Sequence, residues 1–307
     1  MTMYENALRE LNEVDAGTYI RMNADIPSAL NRPGTRLQTL VSCVNQNTTT
    51  LASGMHIASD AVMINQCNED AESFYAYGPY MVRCVHMNKR GVGLSRNTAL
   101  ENCDSELLLF SDDDIVYHEG YAEQIEKTFD SFPLADLMLF NVRQSKGRET
   151  YHIETYGPVG FRNYGRYPAY AIAARTSKIK AAGLRFSLLF GGGAKYSNGE
   201  DSLFLRDCLM KRLLIFKAPI EIGYETERKS TWFQGFTDKF FFDRGVLYYY
   251  LYGKGANLLA RRFLFKNRKT MCADKPMKEC LELMKKGIVH ASLSGSDGYD
   301  APCGADD

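Results

Sequence analysis

The stretch "LLLFSDDDIVYHEG", residues 107–120, ends an apolar run on three consecutive aspartates, Asp112, Asp113 and Asp114. Adjacent carboxylates repel one another and are poor strand formers, so their place after the greasiest short run of the chain needs a reason. A strand buried on both faces of a parallel sheet reads as continuous apolar sequence. In open parallel sheets, ligands bind beyond the carboxyl ends of the strands. The triplet therefore reads as the end of a central strand that opens on a crevice. Clustered hard oxygen ligands there suit Mg²⁺ or Mn²⁺, and a divalent cation would relieve their repulsion. A solvated acidic turn ahead of the next helix, where the macrodipole favours negative charge, fits the same residues. The stretch alone leaves both readings open.

Outward from this run, short apolar segments alternate with helical ones. "LQTLVSCVN" (37–45), "DAVMINQC" (60–67), "YMVRCVHM" (80–87) and "DLMLFNVR" (136–143) read as strands, and "LSRNTALENC" (94–103) and "YAEQIEKTFDSF" (121–132) as helices. That alternation predicts an α/β protein with a mainly parallel central sheet flanked by helices. Past residue 150 the pattern loosens: "AYAIAAR" (169–175) and "LLIFKAP" (213–219) read as strands around a helix at "DSLFLRDCLMK" (201–211). The expected organisation is a short helical segment over 1–36, a catalytic domain over 37–252, and a helical extension with a flexible tail over 253–307.

Composition excludes some classes. Of 307 residues, 37 are basic and 37 acidic, so overall charge does not point to nucleic acid. No apolar run reaches the length of a membrane span, and the charged N-terminus "MTMYENALRELNEVD" lacks the apolar core of a secretory signal. The eight cysteines form no C-x-x-C pair, which reads as reduced thiols in a cytoplasmic protein. The five histidines show no metal spacing, so no zinc site is expected.

Three further constellations matter. In "KRGVGLSRNTAL" (89–100), two glycines precede a helix and Arg96 is expected in its first turn. A cation there opposes the macrodipole unless an anion binds beside it, and an arginine pointing to solvent is the plain alternative. In "FGGGAKYSNGEDSLFL" (190–205), Glu200 and Asp201 open an apolar helical pattern. A carboxylate at a helix start can serve as a general base or simply as an N-cap. The aromatic run "ERKSTWFQGFTDKFFFDRGVLYYYLYG" (227–253) holds the only tryptophan, Trp232, and reads as core or as a sugar platform.

Together and in this order, these pieces resemble the family 2 glycosyltransferases of the GT-A fold, of the bacterial surface-polysaccharide type, from about residue 37 to 252. A first strand ends in a polar turn at "VSCVNQN", which carries Asn45. A Gly-containing loop runs into "GVGLSRN", with Arg96 and Asn97. An apolar strand ends in the D-x-D pair Asp112 and Asp114, and "GED" (199–201) opens a late helix. The acidic, Ser-rich stretch that such proteins often place after the second strand is replaced by "INQCNED" (64–70), where Asn65 and Gln66 are available to a base. No histidine lies between His152 and His290 to complete a metal shell, so that Glu225 or Glu227, or else the donor diphosphate and water, would complete it.

The resemblance implies an inverting, metal-dependent transferase that moves a sugar from a nucleotide-diphosphate donor, expected to be UDP-linked, to the hydroxyl of a glycan or lipid-linked acceptor. Asp112 and Asp114 would hold Mn²⁺ or Mg²⁺. Asn45, Asn65, Gln66, Arg96, Asn97, Asp112 and Asp113 would line the donor. Asp201 would be the base, with Glu200 beside it. The basic, apolar "NLLARRFLFKNRKT" (257–270) could touch an anionic membrane surface or pack on the catalytic domain. A sugar nucleotidyltransferase would also use an aspartate cluster, but "NQNTTT" (45–50) lacks the Gly- and Lys-rich phosphate loop expected after its first strand. A non-catalytic nucleotide-sugar or glycan-binding domain is the remaining alternative.

Overall fold

The structure is a computed structural model that describes residues 35–144, 149–226 and 235–294. The expected helix over 1–36 lies outside the described residues except for its last two positions. Ten strands form one sheet: β1 (Leu37–Val44), β2 (Asp60–Gln66), β3 (Ala71–Tyr77), β4 (Tyr80–Met87), β5 (Leu107–Asp112), β6 (Ile115–Tyr117), β7 (Leu137–Arg143), β8 (Gly157–Val159), β9 (Ile172–Arg175) and β10 (Ile215–Glu225). The helices are α1 (Thr48–Gly54), α2 (Val92–Glu101), α3 (Tyr121–Ser131), α4 (Thr176–Ala181), α5 (Glu200–Met210), α6 (Asp238–Tyr252), α7 (Ala256–Met271) and α8 (Met277–Leu293).

The sheet runs β3-β4-β2-β1-β5-β9-β7-β10-β6, with β8 beside β10. Its centre, β4-β2-β1-β5, is parallel. Leu37, Leu40 and Val41 of β1 and Leu107 to Phe110 of β5 are wholly buried, as continuous apolar strands covered on both faces must be. Strand β9 is inserted antiparallel between β5 and β7, and β3 and β6 add antiparallel edges. Sequence reading missed β3, which forms a tight hairpin with β4 from a segment that opens on charged and small residues. It also made β9 too long, because Ala169–Ala171 form a 3-10 turn.

One face of the sheet packs on α1 and α3 around Tyr117, Tyr121 and Phe140. The other packs on α2 and α5 around Phe110, Phe186 and Phe204. Phe186 and Phe204 stack at 4.2 Å, and Phe110 meets Phe186 edge-on at 5.0 Å, a geometry the ring quadrupoles favour. The carboxyl ends of β1, β2, β4 and β5 lie on one rim, where the sequence reading expects a crevice.

The last three helices share a separate cluster built on Phe240, Phe241, Ala260, Leu264, Met284 and Ile288. Helices α6 and α8 cross at two glycines. A Cβ on Gly245 would lie 2.0 Å from the Met284 carbonyl oxygen, and one on Gly287 2.1 Å from that of Phe242. The three helices pack together across the position 252/253, and of the aromatic run Phe240 and Phe241 are core; Trp232 lies outside the described residues. No helix among the described residues is long and apolar enough to cross a membrane.

Candidate active site

Strand β5 ends at Asp112, and Asp113 and Asp114 form the turn into β6. All three are half-buried. Strand β10 brings Glu225 opposite Ile115 at the far side of that turn, and the Asp114 carbonyl accepts a hydrogen bond from the Thr226 N–H at 2.8 Å. Glu227, the other residue weighed as a metal ligand, lies outside the described residues.

Arg96 is the centre of the site. Its guanidinium donates from Nη2 to Asp112 Oδ1 and from Nη1 to Glu200 Oε1, each at 2.9 Å, and lies over the Phe186 ring at 5.3 Å. The side chain is 5% exposed, against 31% for Asp112 and 12% for Glu200. Burial alone would lower its pKa, but the two carboxylates outweigh burial and hold it above the ordinary arginine value. This corrects the expected placement. Helix α2 begins at Val92, so Arg96 is its fifth residue and points inward, and protein carboxylates occupy the guanidinium that was expected to meet a ligand's phosphate.

Glu200 and Asp201 open α5. The second oxygen of Glu200 accepts the Gly199 N–H at 3.1 Å. Gly191, at φ +104°, makes room for the pair: a Cβ there would sit 2.9 Å from the Glu200 carboxylate and 2.5 Å from Val92. Asp201 keeps partial exposure and accepts the Ser202 N–H at 2.8 Å. Its carboxyl is pushed up to about 7, first by burial and then by the charge of Glu200, against the opposing pull of Arg96, the Ser202 N–H and Arg244. Arg244, on α6, is a contributor that sequence reading missed. It stacks on Phe240 and Phe263, and its only signal was a basic residue inside the aromatic run.

The expected amide ligands are spent largely inside the protein. Asn65 Nδ2 donates to the Gln46 carbonyl at 2.9 Å, and its oxygen accepts the Gln46 N–H at 3.1 Å. Gln66 Oε1 accepts the Gly91 N–H at 2.7 Å. Asn97 makes both of its bonds to the Phe186 backbone, at 2.9 and 2.7 Å. These three residues shape the turns of the rim. Asn45 is exposed in a left-handed conformation, φ +50°, and its oxygen meets Arg90 Nη2 at 3.4 Å. Arg90, which also donates to the Gln66 carbonyl, was missed although it stands next to the glycine loop.

The fold of this α/β sheet has solved counterparts. The 1–349 fragment of S. aureus TarS in complex with UDP-GlcNAc is 14% identical, with a TM-score of 0.53 over 78% of this chain and 74% of that one. The same fragment with UDP gives 0.54 over 78% and 73%. The longer S. aureus TarS structure gives 0.51 at 15% identity, over 79% of this chain and 44% of that one. The fold is therefore GT-A. The model of glycosyl transferase family 2 matches residues 28–188, just over half of the chain, and the protein belongs to that family. No curated protein matches the chain in sequence.

Arg96→Ala should cost about 3 kcal/mol or more of stability in chemical denaturation, because it leaves two carboxylates at a shared site without their counter-charge. Arg96→Lys should recover only part, since one ammonium cannot reproduce the guanidinium fork. A loss below ~1 kcal/mol would mean that solvent screens the pairs.

Proposed function

We propose that this protein transfers a sugar from a nucleotide-diphosphate donor, UDP-linked, to an acceptor hydroxyl with inversion, in glycan or polysaccharide synthesis. The observation that carries the reading is the Asp112–Arg96–Glu200 network, which couples the acidic end of β5 to a helix start whose Asp201 has a carboxyl pushed up to about 7. A general base works best when its pKa is close to the operating pH. Family membership supports transfer as the reaction, and the UDP and UDP-GlcNAc complexes of S. aureus TarS support the donor class.

In this reading the donor lies along the rim between Asn45, Gln66 and the aspartate triplet. The acceptor oxygen bonds to the anomeric carbon while the bond from that carbon to the diphosphate oxygen breaks. The nucleoside diphosphate leaves with the electron pair, and Asp201 takes the hydroxyl proton. Glu200 keeps the helix start in place through Arg96 and the Gly199 N–H. Asp112 and Asp114 offer hard oxygen donors suited to a divalent cation, and they are the residues that would hold it. Mn²⁺ or Mg²⁺ held there would supply positive charge to the departing diphosphate.

The catalytic unit proposed over residues 37–252 shares its last helix, α6, with the helical cluster that continues through α8. Helix α7 exposes Leu258 (72%) and Phe265 (60%) among the exposed Arg261, Arg262, Lys266 and Lys269, which supports peripheral contact with an anionic membrane carrying a lipid-linked acceptor. The intact protein should sediment with anionic vesicles at low salt and be released by salt. Absence of co-sedimentation at low salt would remove the membrane role.

Excess chelator should abolish transfer, and Asp114→Asn should weaken metal-dependent donor binding measured by calorimetry. Full turnover in chelator would refute the cation.

Asp201 must be ionised to accept a proton. With its carboxyl at about 7, kcat/KM should rise with pH through neutrality and fall by about tenfold per unit well below it. Asp201→Asn should lower kcat by roughly a hundredfold or more and abolish that acid limb, with donor affinity unchanged. Normal turnover in the variant would refute the base. Loss of donor binding as well would make Asp201 structural and move the role to Glu200.

A further inference from the structure

Cys67, Glu69 and His86 stand apart from the Asp112–Arg96–Glu200 network. Cys67 follows the last residue of β2, Glu69 lies in the turn into β3, and His86 is in β4 with Asn65 and Ala71 as its two cross-strand neighbours. The His86 ring nitrogen Nδ1 is 3.6 Å from the Cys67 sulfur and 3.7 Å from Glu69 Oε1. One ligand atom from each residue lies within 4.8 Å of the other two, and among the described residues no other group of three His, Cys, Asp or Glu side chains converges in this way. The backbone fixes the arrangement, since the Cys67 N–H donates to the Met87 carbonyl at 3.1 Å and ties the end of β2 to β4.

The donor set and spacing match a metal site. Around tetrahedral zinc, bonds of about 2.3 Å to sulfur and about 2.0 Å to nitrogen place the two ligand atoms about 3.5 Å apart. The observed spread needs only small side-chain rotations to contract onto one ion. A thiolate, an imidazole and a carboxylate together select Zn²⁺ over Mg²⁺ or Ca²⁺, which prefer all-oxygen shells. His86 is only 11% exposed on its side chain whereas Glu69 is 69% exposed, so the site is closed on the sheet side and open to solvent at the carboxylate. Asn65 Nδ2 approaches His86 Nδ1 at 3.5 Å, a weak contact that a metal bond would replace while Asn65 kept its bonds to Gln46.

We propose that Cys67, Glu69 and His86 bind one Zn²⁺, with a fourth, exchangeable position open to solvent. Binding deprotonates the thiol, and the proton goes to solvent. The two anionic ligands then balance the charge of the ion. Zinc there braces the β2–β3 turn against β4, one residue from Gln66, whose side chain and carbonyl hold the Gly91 and Asn45 backbones. The sequence expectation of no zinc site rested on linear spacing. The ligands are separated by a whole hairpin, which linear spacing does not reveal.

The test uses the full chain stripped of metal by chelator and titrated with Zn²⁺ against a chromogenic competitor, in excess Mg²⁺. One tight equivalent is expected. Co²⁺ in its place should give a thiolate-to-metal charge-transfer band in the near ultraviolet. Cys67→Ser should abolish that band. His86→Gln and Glu69→Gln should each weaken Zn²⁺ binding by more than the roughly 10- to 100-fold that loss of an outer-shell partner costs. Asp112→Asn should leave Zn²⁺ binding unchanged, which separates this site from the acidic turn and from the transferase reading. Should Cys67→Ser fail to fold, the two glutamine variants decide the question alone. No bound equivalent, a band that persists in Cys67→Ser, or a loss confined to Asp112→Asn would each overturn the assignment.

Discussion

The buried guanidinium of Arg96 is the constraint on which the rest of this site depends. It joins the end of β5 to the start of α5 through two bonds of 2.9 Å, the bond to Glu200 spanning 104 positions. Neither Asp112 nor Glu200 could approach the other without it, because like charges in a poorly solvated cleft repel. Planarity matters as much as charge. Arginine offers donors in a fixed fork and a face that stacks on an aromatic ring, and Phe186 supplies that ring at 5.3 Å. The same phenylalanine is held by Asn97 through its backbone and by Phe110 and Phe204 through its ring. The hydrophobic core on one face of the sheet thus sets where the charge sits.

One cation shared between two carboxylates leaves a surplus of negative charge, and its effect falls on Asp201. Glu200 raises the Asp201 carboxyl while Arg96 and Arg244 draw it down, and burial tips the balance upward. A carboxylate at an exposed helix start would be expected to stay acidic, because the macrodipole favours its ionised form. Here desolvation and a like charge outweigh the helix. The ion pair that organises the cleft therefore also conditions the carboxyl proposed as the base.

Much of this was legible in the sequence. The apolar run of β5 and the largely apolar β1 mark buried central strands, and Asp112, Asp114, Glu200 and Asp201 all stand in short stretches that break the local pattern. What sequence could not carry was partnership. Arg96 read as a cation in a first helical turn because the helix start was set after Gly93. Gly91, at φ +136°, releases the chain one residue before Val92, and that shift turns Arg96 into the protein. Asn65, Gln66 and Asn97 read as donor-lining residues through the family resemblance, yet a sequence does not say whether an amide faces a ligand or a backbone. Arg90 and Arg244 had no pattern of their own. The hairpin β3–β4 escaped because "AESFYAY" begins with polar residues and lies on a sheet edge, where burial is incomplete.

The C-terminal helices are tied to the cleft as well as to one another. The Ser197 N–H donates to Asp243 Oδ2 of α6 at 2.9 Å, and Arg206 of α5 donates to the Tyr250 carbonyl at 2.6 Å. A Cβ on Gly199 would meet Leu247 at 2.4 Å, so α6 presses directly on the residue before Glu200. Asp201 accordingly sits between two packed bodies: the sheet, which positions it through Arg96, and the helical unit, which crowds the loop ahead of it and brings Arg244 into its field. The Leu247 side chain fills the space that a Cβ at Gly199 would take, so α6 reaches this backbone without an intervening layer. The sheet rim and the C-terminal helices thus act on the same helix start: burial and Glu200 raise the Asp201 carboxyl, while Arg96 from α2 and Arg244 from α6 draw it down.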